Sequence, residues 1–147
     1  MKKEKEKVIY KILSHSTGET ESAGSLLASM VKANDFVALY GDLGAGKTAF
    51  VRGFCRVLIP EADVTSPSYS VINEYTNDKH TVCHVDVYRI TSDDDLYSVG
   101  YYDYENVITL VEWCEKTPQI LPDSYYKVSI EKVDETTRMI YISSVQK

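Results

Sequence analysis

Gly41-Asp42-Leu43-Gly44-Ala45-Gly46-Lys47-Thr48 fits G-x-x-x-x-G-K-[ST], the pattern of a phosphate-binding loop. The spacing has a chemical reason. Glycines let the backbone curl until successive N–H groups point inward at a polyphosphate. Lys47 brings a point charge to the β- and γ-phosphates, and Thr48 brings a hydroxyl to Mg²⁺. The candidate phosphate-binding residues are therefore Asp42, Leu43, Gly44, Ala45, Gly46, Lys47, Thr48 and Ala49, with Lys47 expected on the loop and outside the core. A glycine-rich turn carrying a merely solvated lysine matches the same pattern, so the flanks carry the weight. Phe36-Val37-Ala38-Leu39-Tyr40 enters the loop as a short apolar strand. Phe50, Val51, Phe54, Cys55, Val57 and Leu58 leave it at helical spacing. Strand, glycine loop and helix in that order set a helix N-terminus against the phosphates.

The rest of the chain is read outward from this unit. Residues 8–13 form an expected strand, with Val8, Tyr10 and Ile12 alternating against Ile9 and Lys11. Ser16-Thr17-Gly18-Glu19 has capping-box spacing and predicts a helix whose buried stripe is Ala23, Leu26, Leu27, Met30 and Val31. Asn34-Asp35 breaks that helix, and the loop helix ends near Ile59-Pro60. Residues 64–69 are extended or looped, because Pro67 disfavours helix at Ser66. Residues 70–75 and 81–88 read as an antiparallel hairpin around Thr76-Asn77-Asp78-Lys79. Ser92 caps a short helix ending at Gly100. Residues 107–112 are nearly all apolar, the mark of a strand buried on both faces. After Pro118 and Pro122, residues 125–133 and 138–143 suit a closing hairpin around Asp134-Glu135. No repeat, low-complexity stretch or linker interrupts the pattern. It predicts one domain over 1–147: a three-layer α/β fold of P-loop NTPase type, with a mixed central sheet and a C-terminal β-hairpin.

Composition narrows the class. A chain of 147 residues has room for one ordinary core, and 44% hydrophobic residues argue against disorder. No apolar run approaches the roughly 20 residues of a membrane span. The charged opening Met1-Lys2-Lys3-Glu4-Lys5-Glu6-Lys7 is not followed by a signal-peptide core, so the expected location is the cytoplasm. Cys55, Cys83 and Cys114 are far apart and form no C-x-x-C pair, which suggests reduced, buried thiols. The net charge is −6 and the four arginines are scattered. Without a basic stripe, stand-alone nucleic-acid binding is disfavoured, and an RNA pathway would need another subunit to hold most of the RNA.

A phosphate loop needs carboxylates near the phosphates, to hold Mg²⁺ and to position an attacking water. In open α/β sheets these belong at the carboxyl ends of strands. Asp86 lies near the end of residues 81–89, where strand alternation sets His84, Asp86 and Tyr88 on one face and Cys83, Val85 and Val87 on the other. Glu112 ends the apolar run from Val107 and resembles a Walker-B acid. The plainer alternatives are a solvated strand end for Glu112 and an ion pair with Arg89 or a neighbour for Asp86. His84 has no assigned task, since no specific reaction demands an imidazole here. Trp113 fits a core residue, a base-stacking platform or a partner anchor. Tyr97, Tyr101, Tyr102 and Tyr104 cluster around Gly100 as either a partly buried helix end or an interface.

Four blocks now stand in order: the loop at 41–48, Ser-Pro-Ser-Tyr at 66–69, His-Val-Asp-Val-Tyr-Arg at 84–89 and Val-Glu-Trp at 111–113. Together they resemble the bacterial TsaE (YjeE) family, the ATPase subunit of tRNA threonylcarbamoyladenosine biosynthesis. The resemblance covers nearly the whole chain, and H-x-D-x-Y-R with E-W is far more specific than the loop alone. It implies ATP and Mg²⁺ as cofactors and TsaB-like and TsaD-like subunits as partners, with tRNA engaged only through the complex. Those subunits attach threonylcarbamoyl to the adenosine beside the anticodon in tRNAs reading codons that begin with A. ATP hydrolysis would support turnover or resetting of the complex rather than the transfer itself. On this chain the resemblance implies that Lys47 contacts phosphate, that Thr48 and Glu112 bind Mg²⁺, and that Asp86 assists the metal or its waters. Ser66 and Ser68 would belong to a switch segment that senses the γ-phosphate. Thr17 and Arg138 match nucleotide contacts before the first helix and in the last hairpin. The chain departs from the family's pattern at Ser68, usually threonine, and at Cys114, often proline.

Two rival readings stay open on sequence. A small-molecule kinase would need a lid of several arginines, and Arg52, Arg56, Arg89 and Arg138 are dispersed. A nucleotide switch without hydrolysis has no evident use for Glu112. A GTPase is disfavoured, because no Asn-Lys-x-Asp motif is present.

Overall fold

In the computed structural model, residues 4–42 and 44–147 are described. Leu43 and the first three residues lie outside them. The elements run β1 (Lys5–Ser14), α1 (Thr17–Ala28), β2 (Phe36–Tyr40), α2 (Lys47–Leu58), β3 (Ile72–Thr76), β4 (Thr81–Asp86), α3 (Asp93–Ser98), β5 (Ile108–Glu112), β6 (Ser124–Lys132) and β7 (Arg138–Gln146). The strands form one seven-stranded sheet in the order β1-β7-β6-β2-β5-β4-β3. Strand β2 is parallel to β5 and β6, and β4 is parallel to β5. The pairs β1–β7, β6–β7 and β3–β4 are antiparallel, so the sheet is mixed, as the sequence predicts.

Strand alternation explains the layers. Val37 and Leu39 of β2, Val82 of β4 and Ile108 and Leu110 of β5 face the core under α1 and α2, with Leu27, Phe50 and Phe54. Phe36, Ala38, Cys83, Val85 and Val111 face the opposite core, closed by Leu96 of α3, Ile90 and Cys114. Phe50 and Phe54 are fully buried, each contributing about 2–3 kcal/mol relative to exposure. The cysteines are buried free thiols whose pKa burial pushes up to about 12, so they act as small apolar residues. Edge strand β1 is exposed along most of its length, and its charges together with a register shift between Val8 and Tyr10 discourage further pairing.

Local chemistry sets the ends of α1. Ser16 Oγ accepts the Glu19 N–H at 3.1 Å, and Glu19 Oε1 accepts the His15 N–H at 3.0 Å. The helix stops at Ala28, short of the expected Met30 and Val31. Ser29 Oγ turns back to the Leu26 carbonyl, and the Met30 N–H tightens onto the Leu27 carbonyl. Met30 and Val31 still pack, partly buried, against the core. Strand β3 begins two residues later than predicted, because Val71 is left-handed at φ 71°. Strand β4 ends at Asp86, so Tyr88 leaves the face shared by His84 and Asp86 and is exposed.

Candidate nucleotide site

The loop delivers its helix without a side-chain cap. Gly46 occupies the N-cap of α2 at φ 112°, a left-handed conformation that disfavours any side chain. The first helical bond from this turn is Phe50 N–H to the Gly46 carbonyl, 3.0 Å, so the preceding amides end the helix unpaired within its ladder. Such an end is a natural anion seat. Arg138 braces the loop from β7. Its Nε donates to the Ala45 carbonyl at 2.9 Å and its Nη2 to the Gly44 carbonyl at 3.4 Å.

The acids come from adjacent parallel strands. Asp86 and Glu112 are register partners at the ends of β4 and β5, and Leu39 of β2 is the other neighbour of Glu112. Period-two alternation turns His84, Asp86 and Glu112 toward α2. Glu112 is only 5% exposed and is no solvated strand end. Lys47 Nζ lies 3.3 Å from its Oε1, and His84 Nε2 lies 2.6 Å from its Oε2. Burial alone would raise the Glu112 carboxyl, but the hydrogen bond from His84 and the Lys47 ammonium oppose it and hold the group below the usual range. Asp86 behaves oppositely: burial, with the Glu112 charge adding, raises it, although its Oδ1 accepts the Tyr88 N–H at 2.8 Å. Arg89 forms no ion pair with Asp86. Its Nη2 donates to the Ser68 and Tyr69 carbonyls at 2.9 and 2.7 Å.

Lys47 corrects the expectation that it stands outside the core. It is the first residue of α2, 8% exposed, with Nζ 4.7 Å from the Trp113 ring centroid. The ring covers the side chain while Glu112 neutralises its head. Trp113 is itself left-handed, φ 69°, and packs edge-on against Tyr88 at 4.9 Å. Trp113 is thus a strained non-glycine residue on the cavity wall, where such strain characteristically concentrates.

Two cavities flank the start of α2. One, of about 220 Å³, is lined by Gly44, Gly46, Lys47, Thr48, Ala49, Ser66, Ser68, Glu112 and Trp113. The other, of about 260 Å³, has Thr17, Ala45 and Arg138 on its walls and shares Gly46 and Ala49 with the first. Asp86 lines neither. It borders an open recess with Ser68, Tyr88, Arg89 and Trp113. Asp42 is exposed and its carbonyl accepts the Ala45 N–H at 2.9 Å. His84 has no task in the sequence reading, Arg89 is there only a candidate ion-pair partner of Asp86, and Trp113 is a core residue, a stacking platform or a partner anchor. The structure sets His84 on Glu112, Arg89 on the Ser68 and Tyr69 carbonyls, and Trp113 over Lys47. The signal was present in H-x-D-x-Y-R, whose histidine sits two residues before the acid on the same strand face.

Sheet order, loop and carboxylate placement define a P-loop NTPase-like α/β domain. The family model "Threonylcarbamoyl adenosine biosynthesis protein TsaE" matches residues 14–140, and the chain belongs to this family, which acts in tRNA threonylcarbamoyladenosine biosynthesis. It is 35% identical over 126 residues to the TsaE of Rickettsia felis, covering 84% of this chain and 74% of that one. It is 32% identical over 127 residues to the TsaE of Bacillus subtilis, covering 86% and 80%. The crystal structure of B. subtilis YdiB superposes with a TM-score of 0.73 at 28% identity, covering 98% of this chain and 88% of that one.

Proposed function

We propose that this chain binds ATP with Mg²⁺ and hydrolyses it to support threonylcarbamoyl modification of the adenosine next to the anticodon in tRNA. One observation carries the reading: Lys47 and Thr48 at the start of α2 share a cavity with Glu112 at the end of β5. The triphosphate lies over the α2 N-terminus and Lys47. The adjoining cavity, walled by Thr17 and Arg138, takes the nucleoside. The donor set fits Mg²⁺, because the Thr48 hydroxyl and the Glu112 and Asp86 carboxylates are hard oxygen ligands. Among the described residues no group of three or more His, Cys, Asp and Glu side chains is clustered for a metal, so the phosphates supply the remaining ligands. The ion, when bound, neutralises phosphate charge.

The residues divide the work. Lys47 exchanges its Glu112 ion pair for phosphate oxygens, and the α2 amides hold the charge that builds on the departing ADP. Glu112 and Asp86 orient the attacking water. Water bonds to the γ-phosphorus, the bond to the ADP oxygen breaks, and phosphate leaves carrying the water's protons. Ser66 and Ser68, held near the cavity by Arg89, sense the γ-phosphate and change shape on its loss.

The effect is passed to TsaB-like and TsaD-like subunits in the cytoplasm, which hold the tRNA. Tyr69, 94% exposed, and Tyr97 and Tyr102, also exposed, supply anchors for such partners. Described residues include no helix long and apolar enough to cross a membrane. The test is ATP hydrolysis measured alone and with those subunits, beside a tRNA-modification assay. Slow turnover alone, altered by the partners, is expected. Modification that proceeds equally without this chain or without ATP would refute the reading.

A further inference from the structure

His84 is fully buried yet touches the acid on which hydrolysis depends. Its Nε2 is 2.6 Å from Glu112 Oε2, while its buried Nδ1 has no hydrogen-bond partner among the described residues. A buried N–H without an acceptor carries its whole desolvation cost, so the proton belongs on Nε2, where a carboxylate receives it. The two grips on Glu112 differ in kind. Lys47 holds Oε1 at 3.3 Å but also lines the cavity, so an incoming phosphate competes for it. His84 approaches from behind, on β4, and lines neither of the two cavities at the start of α2 nor the recess beside Asp86. Both partners stand on adjacent central strands, rigid platforms for a fixed hydrogen bond.

We infer that His84 is a positioning residue. Its Nε2–H keeps the Glu112 carboxylate oriented, with Oε1 toward the cavity, after Lys47 has turned to the phosphates. Without it, Glu112 would follow the lysine charge or rotate among conformers, and the acid would be present but misdirected. The inference rests on the reading of Glu112 as the hydrolytic acid.

The experiment uses the full chain with ATP and Mg²⁺. His84→Met keeps the bulk and removes the donor. His84→Gln restores an N–H at about the reach of Nε2. In His84→Met, kcat should fall about 10–100-fold, as for other groups that orient a ligand from behind, with KM and the affinity for a non-hydrolysable ATP analogue within about 3-fold of wild type. His84→Gln should recover most of that loss. An unchanged kcat in His84→Met, or equal losses in both variants when both melt like wild type, would overturn the inference. Nitrogen-15 spectra of histidine-labelled wild type test it without a variant: a proton on Nε2 and a bare Nδ1 are expected with and without the analogue, and the reverse tautomer contradicts it. A wild type that does not hydrolyse ATP at all defeats the ATPase reading and this inference with it. A hydrolysing wild type indifferent to His84 defeats only the inference.

Discussion

Replacing Gly53 by alanine will force α1 away from α2. A Cβ at Gly53 would lie 1.8 Å from the Glu21 carbonyl oxygen and 2.4 Å from its carbon. These are backbone atoms of α1, which no rotamer change can move aside. The contact is reciprocal, since a Cβ at Gly24 would meet the Phe50 carbonyl oxygen at 2.0 Å. Restoring van der Waals distance at Gly53 needs the helices to separate by about 1.5 Å there. That shift loosens Leu27, Phe50 and Phe54, all fully buried. Overpacking of this kind costs about 1–3 kcal/mol, with the upper end expected where backbone must move. Alanine returns about 1 kcal/mol through helix propensity. The net loss is about 2 kcal/mol, or a Tm lower by roughly 5–8 °C for a domain of this size. Circular-dichroism melting reads this directly. Because Thr17 and Thr20 of α1 line one cavity with Gly46, affinity for an ATP analogue should fall as well. A Tm equal to or above that of wild type would mean that propensity outweighs the close approach, and would refute the packing argument.

Other outcomes follow from the site. Lys47→Ala should weaken calorimetrically measured binding of a non-hydrolysable ATP analogue about 10–100-fold, the worth of a charged hydrogen bond. Arg138→Ala removes the brace on the Ala45 and Gly44 carbonyls and a wall of the nucleoside cavity, and should weaken the same binding about 10-fold. Asp86→Asn should lower turnover at least about 10-fold while raising Tm when measured without nucleotide or Mg²⁺. The sign follows from its raised pKa: the ionised form opposes folding above that value, so the asparagine's advantage is present at neutral pH and disappears as pH falls through it. A Tm difference that grows on acidification would contradict this.

Much of this was legible in the sequence, because the strong signals are local. The loop with its flanking strand and helix, the Ser16 cap and both hairpins each follow from neighbouring residues. What escaped is set by tertiary contact. Lys47 reads as a loop lysine until β5 brings Glu112 against it. His84 and Glu112 meet through their side chains across adjacent strands although 28 positions apart, a contact that no local pattern reports. Arg52 and Arg56 look dispersed along with Arg89 and Arg138, yet the first two clamp Glu21 on α1 and the last two brace the loops of the site. The early end of α1 and the left-handed Val71 and Trp113 depend on surroundings that override propensity.

The most direct measurement of the central claim is steady-state ATP hydrolysis by wild type and Glu112→Gln, paired with calorimetric binding of a non-hydrolysable ATP analogue in Mg²⁺. The substitution is nearly isosteric and removes one charge from the position that joins Lys47, His84 and the cavity. Wild-type turnover should be slow but measurable, with analogue affinity retained in the variant and hydrolysis lower by at least about 10-fold. Wild-type turnover in Glu112→Gln, or no analogue binding by either protein, would contradict the claim.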